Sequence, residues 1–589
     1  MKKNLMALLA LTVACTSVLS SCGGSGDQPG TSNSTGNNGG NSNFISTQAL
    51  SLAELGEGFN ANYLPDTSKI TQFSGKIDVC LDFEGTQSGW RALAAEYKRL
   101  QGGAVEVNIN TNFVGSSYSQ NLNTQLNNLN TDWDIVEGNL GYTSTYEHCI
   151  DMYSAIASYN PYCGKDVQWS SVLDKAAYTT KEADTSGKSI ILNSEIMQTC
   201  WFVNEVALRE AGEFGYVNDS GEVGYPETWD DLINLCKYMK QAGYSNPLGI
   251  SLTQASVESL QFSWLLRVYG DYYYRQFYQY IMGNEIWTGY DPTAEVVELN
   301  DGYGVRYAKM LNILFEEDTD FGPGYIGYTS EVYLDFVNQL WKMNGYLMKD
   351  VTNTEFGELR DKFEMQGDGK GSPQIILDYQ GFGLNYENSK ASNFEVGYFD
   401  YPTMVSGNYS TGEKIVPEET ITRDIGGNGG FLSIINHVGD STQNTLNKDF
   451  IKFVMSPYGQ TIYYKGLYEN GDVPKGLSSV NNDLVVIPSE WKTYFDKSNE
   501  TITFSGDVDA CNFLTWGVRY VNGLPATRGC ITELWRNLLI EEGSLAAGQA
   551  LKPAKFAADW AEAAETDMHA FVAYNKWPAN FWEDPTYPL

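Results

Sequence analysis

Residues 76–110 read KIDVCLDFEGTQSGWRALAAEYKRLQGGAVEVNIN. Ile77, Val79, Leu81 and Phe83 alternate with polar residues, the period of a strand. Gly85 and Gly89 mark the loop that follows. Trp90, Leu93, Ala94, Tyr97 and Leu100 then recur at helical spacing, and Gly102-Gly103 stops the helix. Val105, Val107 and Ile109 alternate again. The stretch is therefore strand, short loop, helix, strand, which predicts a parallel pair in an α/β sheet whose ligands bind beyond the carboxyl ends of the strands.

Working outward, Leu122, Leu126 and Leu129 suggest another helix. A strand over 132–136 (DWDIV) runs into Glu137-Gly138-Asn139. A second region begins near Asn193, with Trp201-Phe202-Val203 as a short buried strand. Thr228 is an N-cap, with Asp231 three residues on as the shorter analogue of a capping-box acid. Trp229, Leu232, Ile233 and Cys236 form one helical face, and Gly243 ends it. Gln374–Tyr379 is a strand. Phe450, Phe453 and Val454 form a helical stripe closed by Pro457. Beyond about 480 the pattern is irregular, then helical at Leu534, Trp535, Leu538 and Leu539. There is no internal repeat.

The amino-terminal residues read as an address. Lys2 and Lys3 precede an apolar run, Leu5–Ala14, too short to span a bilayer. Leu19-Ser20-Ser21-Cys22 resembles a bacterial lipobox, so residues 1–21 are expected to be removed and Cys22 to carry two acyl chains, enough for stable anchoring. Residues 22–43 follow as a tether. Within 23–43, 21 residues hold seven Gly, five Asn and four Ser with no aliphatic or aromatic side chain. Such a coil spans roughly 25 Å r.m.s..

The 589 residues hold 38 Lys+Arg against 73 Asp+Glu, a net charge of −35. That acidity and the lack of a basic stripe disfavour nucleic acid. The 42% hydrophobic content provides ample core. Of nine Cys, seven remain beyond the address. Cys80 and Cys236 read as core residues, and Cys149/Cys163 or Cys511/Cys530 could pair.

Tests for catalytic signatures come back empty. Gly187-Lys188-Ser189 mimics the end of a phosphate loop, but Glu182 stands where that loop needs Gly and would repel phosphate. His148, His437 and His569 stand alone, so no His-built metal site is expected. No G-x-S-x-G elbow occurs. Arg423–Gly430 (RDIGGNGG) is Gly-rich. It permits close backbone approach to a ligand, or forms a mobile surface loop. A pair of carboxylates, enough for glycoside hydrolysis, cannot be singled out among 73 acids.

Several segments together resemble the family 1 extracellular solute-binding lipoproteins of carbohydrate ABC importers. They are the lipobox with its tether, Gly89–Tyr97, Asp134-Ile135-Val136, Gly187–Leu192, Trp201–Asn204 with Leu208, Ala211 and Gly212, Pro226–Leu232, and Lys452–Gln460. These seven occur in family order over residues 19–460. Asn193 and Val203 depart from the usual Pro and Tyr, and the resemblance fades after about 480. It implies a type II periplasmic-binding-protein-like fold of two α/β lobes, a hinge and a ligand cleft. The first lobe would hold 76–188 plus 419–475, the second 190–418 plus 476–589.

By position, the resemblance implies ligand-binding residues Glu84, Gln87 and Ser88 after the first strand, Gly138 and Asn139 after the third, and Gln198 and Trp201 at the start of the second lobe. Asp378, Tyr379 and Gln380 end a later strand, with Tyr379 as the stacking ring. Gly427 and Asn428 sit in the Gly-rich segment, and Thr527 and Arg528 precede a late helix. Trp264 belongs equally to cleft or core. Tyr269–Tyr280, with seven aromatics in twelve residues, is a cleft wall or a helix packed between lobes. Trp229 reads as core.

The expected function is capture of an extracellular sugar or oligosaccharide between the lobes and delivery to an ABC permease. No catalytic residue, cofactor or metal is expected. The protein is expected to be a monomer on the extracytoplasmic face of the cell membrane, bound through its lipid. The alternatives are a lipid-anchored glycoside hydrolase and a surface glycan-binding protein without transport. Replacing Cys22 with Ala should release the protein from membranes. A Cys22→Ala variant that still fractionates with detergent-extractable lipid would contradict the anchor.

Overall fold

The computed structural model describes residues 46–81, 84–111, 132–138, 148–174, 188–277, 326–366, 369–383, 394–489, 501–503, 528–540 and 549–574, with positions 125, 177–178, 386 and 491. The segment that opens the sequence reading is strand β1 (Gly75–Cys80), helix α1 (Gln87–Leu100) and strand β2 (Val105–Asn110). β1 and β2 are parallel, with Gly75 opposite Val105 and Cys80 opposite Asn110. Gly102 and Gly103 take φ of 62° and 83°, the left-handed values that end α1. β3 (Ile135–Glu137) lies on the other side of β1, also parallel. The helix expected around Leu122–Leu129 lies outside the described residues.

The chain then enters β4 (Leu192–Asn204), which is much longer than the short strand expected at Trp201–Val203. The sequence hides its length because most of it is covered on both faces, so alternation is lost. After β4 come α2 (Glu205–Glu213), α3 (Trp229–Gln241), β5 (Leu248–Gly249), α4 (Gln261–Tyr274), α5 (Glu331–Trp341), α6 (Phe356–Met365), β6 (Ile375–Tyr379) and β7 (Val396–Phe399). Thr228 and Asp231 form the reciprocal capping box that starts α3. The Gly-rich segment is neither loop nor turn. It belongs to β8 (Asp424–Ile434), a central strand. α7 (Ser441–Val454) and α8 (Pro457–Asn470) follow, with Pro457 ending the first and occupying the first turn of the second. β9 (Leu477–Ser478), β10 (Thr501–Thr503), α9 (Arg528–Leu539) and α10 (Pro553–Tyr574) follow, and short helices also occur at Leu52–Leu55, Tyr153–Ile156 and Gln254–Ser259.

The strand order is β2-β1-β3-β8-β4-β6-β5, with β10 on β8 and both β7 and β9 on β4. Two large cores flank this arrangement. One gathers Ile77, Val79, Leu93, Tyr97, Leu192, Leu432, Phe450, Phe453 and Tyr464, and extends to Val480 and Trp491. The other gathers Trp201, Phe202, Trp229, Leu265, Tyr269, Tyr333, Ile376, Ile425 and Trp535. β4 and β8 belong to both: Leu192 and Leu432 lie in the first core, Phe202 and Ile425 in the second. Their antiparallel pairing runs from Leu192–Leu432 to Gln198–Gly426. Midway, Ile196, Met197 and Gln198 are only half-buried, where neither core covers β4.

Close approaches set the packing of each core. A side chain at Gly89 would place its Cβ 2.6 Å from the Tyr463 ring, and one at Gly466 would meet Ala92 at 2.5 Å, so α1 and α8 touch backbone to backbone. The aromatic run at 269–277 is core rather than cleft wall: Tyr269, Tyr273, Tyr274 and Phe277 are fully buried, while Tyr278 and Tyr280 lie outside the described residues. Trp229 is likewise core, its Nε1 donating to the Gln339 carbonyl at 2.8 Å. Cys149 and Cys163 are buried free thiols in different clusters and do not pair. Cys511 lies outside the described residues, as does the side chain of Cys530.

One buried charge cluster anchors β8 to the second core. Asp271 of α4 is fully buried and accepts from Arg423 Nε at 3.0 Å and Arg275 Nε at 3.1 Å. Burial pushes this carboxyl up, but the hydrogen bonds and charges of Arg423 and Arg275 outweigh it and hold the pKa below the ordinary value. A lowered folded-state pKa contributes stability above the unfolded value of about 4 and loses it as pH falls through the folded value. Asp271→Asn should cost about 3–5 kcal/mol at neutral pH, because two arginines lose their partner. Urea denaturation should show that loss together with a shallower acid-side decline; an unchanged profile would contradict it.

Candidate functional site

Three strand ends and one turn converge on a recess. The loop after β1 enters α1 through Glu84-Gly85-Thr86. Gln87, the first residue of α1, donates Nε2 to Thr111 Oγ1 at 3.0 Å, which ties this loop to the end of β2. At the end of β3, the Gly138 amide donates to the Phe431 carbonyl at 2.7 Å. At the end of β6, the Gln380 amide donates to the Gln198 carbonyl at 2.8 Å, fastening the turn to the half-buried middle of β4. Gly381 then lies against another stretch: a Cβ there would sit 2.3 Å from the Pro474 carbonyl oxygen and 2.8 Å from that of Lys475, so only Gly fits.

The recess these elements leave is small, with a cavity volume of about 80 Å³, and opens to solvent. Gly85, Phe382 and residues 471–475 line it. Gly85 follows a strand of the first core, and Phe382 packs against the second. Lys475 Nζ lies 3.5 Å from Glu137 Oε1, both side chains being largely buried. Tyr463 donates to Glu195 Oε1 at 2.9 Å. Burial, then the Glu195 and Glu137 charges, push the Tyr463 phenol well above its ordinary value, so it stays a donor.

Aromatic rings gather beside the recess. Tyr379 lies 4.7 Å from Trp264, 6.3 Å from Phe356 and 6.5 Å from Phe382, centroid to centroid. Tyr379 is half-buried and Trp264 is 1% exposed, so Tyr379 is the ring of the two that solvent reaches. Two polar atoms of the same neighbourhood, Ser88 Oγ and Gln380 Nε2, are buried without a hydrogen-bond partner in the protein. An unsatisfied buried donor costs roughly 1–3 kcal/mol. An ordered water or another bound polar group can offset that cost.

The sequence-predicted residues therefore divide. Gln87, Ser88 and Gly138 on one side, and Tyr379 and Gln380 on the other, lie at strand ends near the recess without lining it; Gln198 is in the middle of β4, and Trp264 lies behind Tyr379. Trp201 is fully buried in the second core, its ring stacked on Phe399 at 6.3 Å and edge-on to Tyr401. Asp378 is fully buried and takes two hydrogen bonds from Arg360, each 2.7 Å, so its role in this structure is to hold the β6 end. Gly427 sits in the sheet opposite Met197, and Asn428 opposite Ile196. Asn139, Thr527 and the side chains of Glu84, Asn428 and Arg528 lie outside the described residues. Sequence reasoning missed Glu137, Phe382 and Lys475. Glu137 adjoins Gly138 and Phe382 is two residues past Gln380, while Lys475 follows a Gly-Asp-Val-Pro turn that carried no chemical signature.

A Gln380→Leu variant should keep or gain up to about 1 kcal/mol of stability, since it removes an unsatisfied donor. Clear destabilisation in a thermal melt would show that Gln380 serves the fold instead.

No family model matches the chain, and no curated protein matches it. Among solved structures the chain is similar to RafE from Streptococcus pneumoniae, with 11% identity, a TM-score of 0.49, and 85% of this chain and 99% of that chain covered. It is similar to a family 1 extracellular solute-binding protein from Bifidobacterium longum subsp. infantis, with 13% identity, a TM-score of 0.47, and 84% and 99% covered. A third is BlMnBP1 from Bifidobacterium animalis subsp. lactis, a binding protein of an ABC transporter in complex with mannobiose, with 15% identity, a TM-score of 0.47, and 86% and 100% covered.

Proposed function

We propose that this chain is a lipid-anchored binding protein that captures a neutral sugar or oligosaccharide outside the cell and presents it to an ABC permease. One observation carries the reading: the recess is walled by loops of both cores at the place where the shared strands β4 and β8 leave each core. A ligand held there touches both halves, so its differential affinity favours whichever arrangement brings them together. The wall chemistry suits a sugar, which offers polar edges to hydrogen-bonding side chains and an apolar face to a ring. Phe382 in the lining offers the apolar face, and Gln87, Ser88, Tyr379 and Gln380 stand in the elements that adjoin it.

The anchor rests on the sequence at Cys22. Residues 46–54, beyond the tether, support an attachment to the first core. Arg99 Nη1 donates to the Ser46 carbonyl at 2.8 Å, the Leu50 amide to Tyr458 Oη at 2.8 Å, and Lys465 Nζ to the Glu54 carbonyl at 2.6 Å. These bonds fasten the segment to α1 and α8. A leash attached there would leave the second core able to move.

Thermal-shift titration against mono- and oligosaccharides, with raffinose and mannobiose as first probes, tests the reading. A binding sugar at 100-fold its Kd should add about 2.7 kcal/mol of apparent stability. Tyr379→Ala should weaken that sugar by roughly 1–3 kcal/mol, by analogy with base stacking. A panel with no shift, or release of shortened glycans by the purified protein, would overturn the proposal.

A further inference from the structure

The Arg360 guanidinium lies 3.5 Å from the centroid of Phe382 and 4.4 Å from that of Phe356. It is therefore close against both rings. The same guanidinium is bidentate on Asp378, with Nε to Oδ2 and Nη2 to Oδ1 both at 2.7 Å. Asp378 Oδ1 also accepts the Tyr379 amide at 2.6 Å, and Tyr386 donates to Oδ2. Arg360 itself is not among the residues that line the recess, whereas Phe382 is. One side chain thus holds, through a carboxylate and a ring face, both ends of the turn that carries Tyr379, Gln380 and Phe382.

We infer that Arg360 is a positioning residue that sets the aromatic wall of the ligand recess. The inference rests on the proposed sugar-binding role for its functional half, but the placement of the ring stands independently. The chemistry selects Arg. Its planar guanidinium can lie on a ring face while two N–H groups grip a carboxylate, and a Lys ammonium keeps only the charge. Opposite, Gly381 leaves no room for a Cβ against the Pro474 and Lys475 carbonyls, which holds the backbone of the turn from that side and leaves the Phe382 ring to be set by Arg360. Burial works against the cation, but the Asp378 charge and hydrogen bonds outweigh it and raise the Arg360 pKa.

The test uses the full chain with 4-fluorophenylalanine at position 382, in the Arg360 protein and in Arg360→Lys, which preserves the ion pair and should preserve folding. The 19F resonance should shift and broaden in Arg360→Lys at an unchanged melting profile. Raffinose or mannobiose, whichever the wild type binds, should bind about tenfold more weakly both to Arg360→Lys and to Phe382→Leu. The double variant should be little weaker than either single one. An unmoved 19F resonance overturns the inference, as does undiminished affinity in Arg360→Lys when Phe382→Leu is weakened. If the wild type binds no sugar, the proposed function fails separately, and the 19F comparison still decides whether Arg360 sets the ring.

Discussion

The antiparallel pairing of β4 with β8 is the constraint on which the rest depends. Two cores with separate sets of helices share these strands, and each strand starts in one core and ends in the other. Backbone hydrogen bonds hold the pair where side-chain packing does not, at Ile196–Gln198 against Gly426–Asn428. Glycine is suited to that place. Gly429 lets the Met197 side chain lie across it, and Gly430, with a φ of 56°, takes a conformation and a closeness to Ser194 Oγ that a Cβ would forbid. A strand with few side chains at a point of low packing is one that can bend at little cost.

Much of the first core was legible because its elements are half-buried or amphipathic. The alternation at Ile77–Leu81, the stripe from Trp90 to Leu100 and the Gly102-Gly103 stop each map onto β1, α1 and the turn after it. The capping box at Thr228 and the stop at Pro457 were legible because both act locally: the first satisfies backbone groups within a few residues, and the second, lacking an N–H, cannot continue a helix. What resisted reading is non-local. Most of β4 is covered on both faces, and β8 is rich in Gly, so neither shows a strand period. The Gly-rich stretch looked like a surface loop because nothing in it says which strands lie on either side.

The site shows the same division. Strand ends in an α/β sheet are predictable places for ligands, and Gln87, Ser88, Gly138, Tyr379 and Gln380 were chosen from that rule and from the family resemblance; the structure places them near the recess but not in its lining. Which polar group is spent on structure cannot be read from the chain. Asp378 looks like a ligand-binding acid until Arg360, 18 residues earlier, is seen to consume it. Trp201 looks like a ligand-binding residue until Phe399 is seen stacked on it in the second core. Glu137 and Lys475 are far apart in the chain, and only the folded turn after α8 brings them together.

The central claim is that a ligand in the recess draws together two bodies joined by β4 and β8. Small-angle X-ray scattering of the protein with and without a saturating sugar measures this most directly. The account predicts a smaller radius of gyration in the sugar-bound state. A radius unchanged on saturation with a sugar shown to bind by calorimetry would contradict it.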